Sequence, residues 1–120
     1  MSENLKHPVQ KIDKPWGYEL VWAKTHAYVG KVLFVKQGQC LSLQYHNEKE
    51  ETLYIESGEC WIETGPDKAT LQRVRFLPGE VFHIPPKTIH RIIAVSDTRI
   101  FEVSTPQLSD VIRLEDRYGR

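Results

Sequence analysis

Short runs rich in Val, Ile, Tyr, Phe and Trp recur along the chain about every eight to twelve residues, each closed by Gly, Pro, Asn or Asp. This is the rhythm of an all-β sandwich or barrel, and no segment sustains the period of an amphipathic helix. The pattern predicts strands over residues 17–23, 31–36, 40–46, 51–56, 59–64, 69–76, 81–84, 91–95 and 99–104. Ser57-Gly58 has the form of a two-residue hairpin turn, and Gly65-Pro66-Asp67 and Leu77-Pro78-Gly79 mark later breaks. Pro85-Pro86 removes two backbone donors, so the strand from Val81 must stop there and pass into a loop that delivers His90. Residues 107–120 form a charged tail whose Leu108, Val111, Ile112 and Leu114 suit a short docking segment or a helix.

Composition narrows the picture. At 120 residues the chain suffices for one domain, a single small antiparallel β-barrel over residues 1–120 with 107–120 docking on it. Sixteen basic side chains balance sixteen acidic ones without long runs of one sign, which argues against nucleic acid as a partner. No apolar run is long enough to cross a bilayer, and residues 1–14 are polar without a signal-peptide core, so a cytoplasmic location is the expectation. Cys40 and Cys60 lack CxxC spacing and fall within strands, where they read as small buried hydrophobes rather than a disulfide.

Strand alternation isolates the candidate chemistry. Ser42, Gln44 and His46 share one face of their strand, and Glu51 shares a face with Leu53 and Ile55 on the next strand, taken as its hairpin partner. Parity selects Glu51 over Glu48 and Glu50, unless a bulge near Asn47 shifts the register. A buried polar row is costly unless satisfied, and a metal ion satisfies an amide oxygen, a carboxylate and imidazoles together. With His90 entering from the far strands, Gln44, His46, Glu51 and His90 make a mixed oxygen and nitrogen set suited to one divalent ion: Zn, Mn, Fe, Co or Ni.

The spacing Gly38-(x5)-Gln44-Tyr45-His46-(x4)-Glu51-(x6)-Gly58 resembles the first motif of the cupin superfamily, with Gln44 where His is usual. Gly79-(x5)-Pro85-Pro86-Lys87-Thr88-Ile89-His90 resembles the second, with Lys87 where glycine is usual and Ala94 where asparagine is frequent. Three further stretches, from Lys14 to Glu19, from Leu41 to His46 and from Ser109 to Arg120, are similar to the C-terminal isomerase domain of bifunctional mannose-6-phosphate isomerase/mannose-1-phosphate guanylyltransferases. The resemblance does not extend to a nucleotidyltransferase half, so it does not imply guanylyl transfer. The resemblance implies a jelly-roll double-stranded β-helix and a Gln-x-His, Glu, His metal set.

It also implies aldose–ketose interconversion of a phosphorylated sugar, with the metal offsetting ene-diolate charge. The required base is left open among Lys31, His83, Lys87 and Glu102, and Arg91, Arg113 or Arg120 could clamp the phosphate. Two other functions fit the same residues. One is a 2-His-1-carboxylate non-haem iron dioxygenase on His46, Glu51 and His90; the other is a non-catalytic module for a sugar or nucleotide sugar. Trp16, Tyr18, Leu20 and Trp22 read as alternating on one strand face as core or interface anchors, whereas Tyr54 faces away from Glu51. The apolar Leu41, Leu43 and Tyr45 need covering by the same chain or a second copy, and a homodimer is the expectation.

Overall fold

The computed structural model describes residues 5–120, so the first four residues of the polar opening segment lie outside it. Eleven strands are present: β1 (Gln10–Lys14), β2 (Gly17–Lys24), β3 (Val29–Val35), β4 (Leu43–Tyr45), β5 (Glu51–Ser57), β6 (Cys60–Gly65), β7 (Gln72–Phe76), β8 (Val81–Ile84), β9 (Ile89–Ala94), β10 (Thr98–Ser104) and β11 (Ile112–Glu115). They form two antiparallel sheets, one of six strands in the order β1-β2-β3-β10-β5-β8 and one of five in the order β11-β4-β9-β6-β7. The fold is therefore all-β, as the hydrophobic rhythm predicts, and of the jelly-roll type that the family resemblance implies.

Only β1-β2-β3 and β6-β7 pair with their sequence neighbours; elsewhere the chain crosses from one sheet to the other between successive strands. This corrects two expectations. Ser57-Gly58 does not close a hairpin, because β5 and β6 lie in different sheets, and for the same reason β4 and β5 are not hairpin partners. Gly58 serves the crossing instead. Its φ is +83°, and a Cβ there would stand 2.1 Å from the Asp97 carbonyl oxygen.

Inward side chains from both sheets meet in a core of Leu33, Val35, Leu53, Ile55, Ile62, Ile84, Ile92 and Ile100, all buried. Each such side chain contributes about 1.5–3 kcal/mol on leaving water. Cys40 and Cys60 are free and buried, and burial followed by the charge of Glu59 pushes the Cys60 thiol up to about 12. Trp16, placed in the turn before β2, points inward and is buried, whereas Trp22 is exposed over the backbone of Gly30. The four aromatic and apolar residues from 16 to 22 therefore do not share a face.

The expected strand over 69–76 is divided, with a short 3-10 turn at Lys68–Thr70 preceding β7. Its start is capped by the Asp67 carboxylate, which accepts from the Ala69 and Thr70 amides. The tail forms a strand rather than a helix. β11 pairs with β4 through Ile112↔Tyr45 and Arg113↔Gln44, and the Tyr118 hydroxyl donates to Gln39 Oε1 at 2.7 Å. Leu43 is already buried within the chain and Leu41 packs on the core, so covering Leu43 does not require a second copy.

Candidate metal centre

One end of the interior is polar. A cavity of about 320 Å³ opens there, lined among others by Gln44, His46, Lys49, Glu51, His90 and Glu102. β4 and β9 bring Gln44 opposite His90 in the five-stranded sheet, and β5 begins with Glu51 in the facing sheet, paired with Ile84. The loop after β4 carries the chain across, so His46 and Glu51 face one another across the interior.

His46 Nε2 lies 3.3 Å from Glu51 Oε2, and His90 Nε2 lies 3.9 Å from Glu51 Oε1. One ligand atom from each residue fits within 4.8 Å of the other two. Adjacent ligands of an ion bound at about 2.0–2.2 Å stand roughly 3–3.5 Å apart, so modest contraction of this cluster forms a coordination shell. The protonation pattern also suits it. His46 Nδ1 is 2.5 Å from the Asp110 carbonyl and His90 Nδ1 is 2.9 Å from the Thr88 carbonyl. A carbonyl only accepts, so both Nδ1 atoms carry protons, and both Nε2 atoms, the ones left to take a metal, are turned toward Glu51.

Those Nε2 atoms are buried and have no hydrogen-bond partner among the described residues. Buried polar atoms without partners are rare and costly, and here two of them converge on one carboxylate. Burial lowers the pKa of His90, which keeps its imidazole neutral as a ligand must be. Burial opposes charge on Glu51, yet the facing His46 and the ammonium of Lys49 outweigh it and bring its pKa down to about 2.

Gln44 lines the same cavity, but its Oε1 accepts a 2.6 Å hydrogen bond from Ser42 Oγ. Of the candidate bases, Lys31 and Glu102 are buried in the cavity wall, while Lys87 is exposed outside it. His83 is also exposed and contacts Glu50, the neighbour that parity set aside. Lys31 is tied to Glu19 at 3.2 Å. Arg91 is committed to Glu63, with Nε at 2.8 Å and a terminal nitrogen at 2.7 Å, and Arg120 to Asp116. Arg113 lines the cavity without an acidic partner among the described residues.

Two residues at the site escaped the reading of the sequence. Lys49 is buried, with Nζ 3.0 Å from Glu51 Oε2 and 3.1 Å from Glu102 Oε2. Burial opposes its charge, but Glu102 and then Glu51 outweigh this and raise its pKa. Lys49 precedes β5, so strand parity gave no signal for it. Asp110, which holds His46 from the tail, acts through its main chain, and no strand period points to it.

The sequence matches the family described as mannose-6-phosphate isomerase C-terminal over residues 2–116. The chain belongs to this family. Among individual proteins, the chain is 27% identical over 115 residues to the mannose-1-phosphate guanylyltransferase RfbM of Salmonella typhimurium; the match covers 92% of the chain and 23% of RfbM. The chain thus spans about a quarter of that relative.

Solved structures give the same fold at low identity. Oxalate decarboxylase of Bacillus subtilis superposes with a TM-score of 0.78 at 15% identity, covering 88% of this chain and 30% of that one. CapF of Staphylococcus aureus superposes with a TM-score of 0.75 at 21% identity, covering 96% and 35%. KdgF of Halomonas sp. reaches 0.69 at 20% identity, covering 89% and 93%. The domain has the cupin fold, and one of its structural neighbours, the Bacillus oxalate decarboxylase, has Mn(II) centres. No helix among the described residues is long and apolar enough to cross a membrane.

Proposed function

We propose that this domain binds one divalent metal ion through His46, Glu51 and His90, with Gln44 as a fourth ligand, and catalyses aldose–ketose isomerisation of a phosphorylated sugar. The observation that carries the metal reading is the pair of partnerless Nε2 atoms aimed at one buried carboxylate. Gln44 would join by rotating its amide oxygen from Ser42 toward the cavity. A bound ion would supply Lewis acidity to the sugar carbonyl and offset the charge of an ene-diolate.

The residues around the cluster supply the remaining requirements. Lys14, Lys24 and Arg113 line the cavity and have no ion-pair partner among the described residues, which suits them to a phosphate. Glu102 suits the base that moves a proton between C1 and C2. Burial and then the charge of Glu51 raise its pKa, toward the range where a carboxylate both accepts and returns a proton. Lys49, kept as an ammonium by its two carboxylates, would hold Glu102 in place and balance its charge.

The decisive experiment is elemental analysis of the purified protein, then incubation with mannose-, fructose- and glucose-6-phosphate in deuterated water. Deuterium entering at C1 or C2 only in the metal-loaded protein is the expected result; a loaded protein that exchanges none of the three sinks the isomerase reading. One observation favours a second reading. Because Ser42 already holds Gln44, the remaining His46, Glu51 and His90 would also serve as the facial triad of a non-haem iron oxygenase. Iron content with substrate-dependent oxygen uptake would select it, and tight sugar-phosphate binding without turnover would select a non-catalytic module. A homodimer remains part of the proposal, now through the exposed Tyr54, Phe101 and Val103 on the outer face of the six-stranded sheet, and light scattering reads it directly.

A further inference from the structure

We infer that Asp110 is a positioning residue that ties the C-terminal tail to the metal site by fixing the ring of His46. The inference rests on the metal reading above, and it concerns what keeps the site assembled.

His46 and Asp110 are 64 residues apart, so nothing local brings them together. Asp110 makes two kinds of contact. Its carbonyl oxygen accepts from His46 Nδ1 at 2.5 Å, while its carboxylate accepts from three successive backbone amides, Asn47 at 3.1 Å, Glu48 at 2.7 Å and Lys49 at 3.0 Å. Those amides belong to the crossing that leaves His46 and leads through Lys49 to Glu51. The side chain of Asp110 therefore grips the crossing, and the grip presses its main-chain carbonyl against the imidazole.

The consequence is chemical as well as mechanical. A neutral histidine carries its proton on one nitrogen or the other, and its metal affinity depends on the lone pair being on the correct side. The Asp110 carbonyl keeps the proton on Nδ1 and leaves Nε2 open toward Glu51. β11 continues the hold directly afterwards, pairing Ile112 with Tyr45 and Arg113 with Gln44. The tail thus secures His46 and also runs beside the fourth proposed ligand.

His90 is an internal control. Its Nδ1 donates to the Thr88 carbonyl only two residues away, within the loop that delivers it, and the tail takes no part. If Asp110 positions His46, loss of its carboxylate must disturb one imidazole and spare the other.

The test uses the full chain labelled with 15N-histidine, as wild type, Asp110→Ala and Asp110→Asn, with circular dichroism and thermal melting of the metal-free proteins to establish folding. Long-range 1H–15N correlation of the metal-free wild type should show both rings protonated on Nδ1. In Asp110→Ala the His46 ring should pass to a tautomer mixture while His90 is unchanged. Affinity for Mn²⁺ or Co²⁺, titrated by calorimetry, should fall about 10–100-fold at unchanged stoichiometry, with a smaller loss in Asp110→Asn, which keeps one acceptor oxygen. A folded Asp110→Ala protein with the wild-type His46 tautomer and ion affinity within about twofold overturns the inference. If the wild type takes up no ion, the metal reading fails, and the tautomer comparison still decides whether Asp110 sets His46.

Discussion

The two ends of the interior are built from the same strands and hold opposite chemistry. Inward side chains run Glu51, Leu53, Ile55 along β5, Glu102, Ile100, Thr98 along β10, Lys31, Leu33, Val35 along β3 and His90, Ile92, Ala94 along β9. On each row an ionisable group stands at the cavity and gives way within two residues to apolar packing, although Val29 on β3 and Ser104 on β10 lie buried beyond it. Burying a charge costs several kcal/mol unless it is closely paired, so the polar end cannot be the source of the fold's stability. The apolar end supplies stability, and the polar end spends part of it on holding charges ready for a ligand.

Removing the charge that balances the polar end should have the largest effect. In metal-free protein, Lys49→Met leaves Glu51 and Glu102 facing each other without their ammonium, and loss of one member of a buried ionic group costs about 3–5 kcal/mol. The double variant Lys49→Met/Glu102→Gln removes the repulsion as well and should recover much of that loss, read as the urea midpoint. Equal losses in the single and the double variant would show that the polar end is held by packing rather than by charge.

The apolar end should answer in the reverse way. Ile62→Val deletes one buried methylene from the core and should cost about 0.5–1.5 kcal/mol in the same urea measurement. Metal affinity should not move, because β6 carries no residue of the cluster. A change in ion binding by more than the error of the titration would mean that the two ends are mechanically coupled.

What could be read from the sequence follows the same division. Parity placed His46 and Glu51, since a strand that buries alternate residues leaves no choice of face, and it set Glu50 outside, where the structure pairs it with His83; His90 was placed instead by the loop that Pro85-Pro86 imposes and by the motif spacing. The sheet to which each strand belongs was not readable. A tight turn such as Ser57-Gly58 serves a hairpin and a crossing between sheets equally well, and alternation is the same in both. β1 went unseen because Gln10–Lys14 has one apolar residue, and β11 because Leu108, Val111, Ile112 and Leu114 satisfy a helical spacing as well as a strand. Lys49 shares the parity of Glu51 but precedes the strand, where parity carries no authority. Asp110 holds His46 through a carbonyl that every residue possesses, so side-chain chemistry could not announce it.

The smallest effect is expected where the crossing into β9 departs from the family's habit. Lys87 stands where cupins usually have glycine, and its φ of +66° is the one left-handed value at a non-glycine position among the described residues. A side chain in that region costs about 1–2 kcal/mol, while glycine returns about 0.5–1 kcal/mol through the greater freedom of the unfolded chain. Lys87→Gly should therefore stabilise the metal-free protein by up to about 1 kcal/mol. Its amide, which donates to the His46 carbonyl at 2.6 Å, survives the substitution, and its side chain lies outside the cavity. Ion affinity should be unchanged, and Lys87→Ala, which keeps the Cβ, should give no gain. A Lys87→Gly protein that binds metal more weakly would show that the strained lysine helps to aim His90, and the boundary between the polar and apolar ends would then reach into this loop.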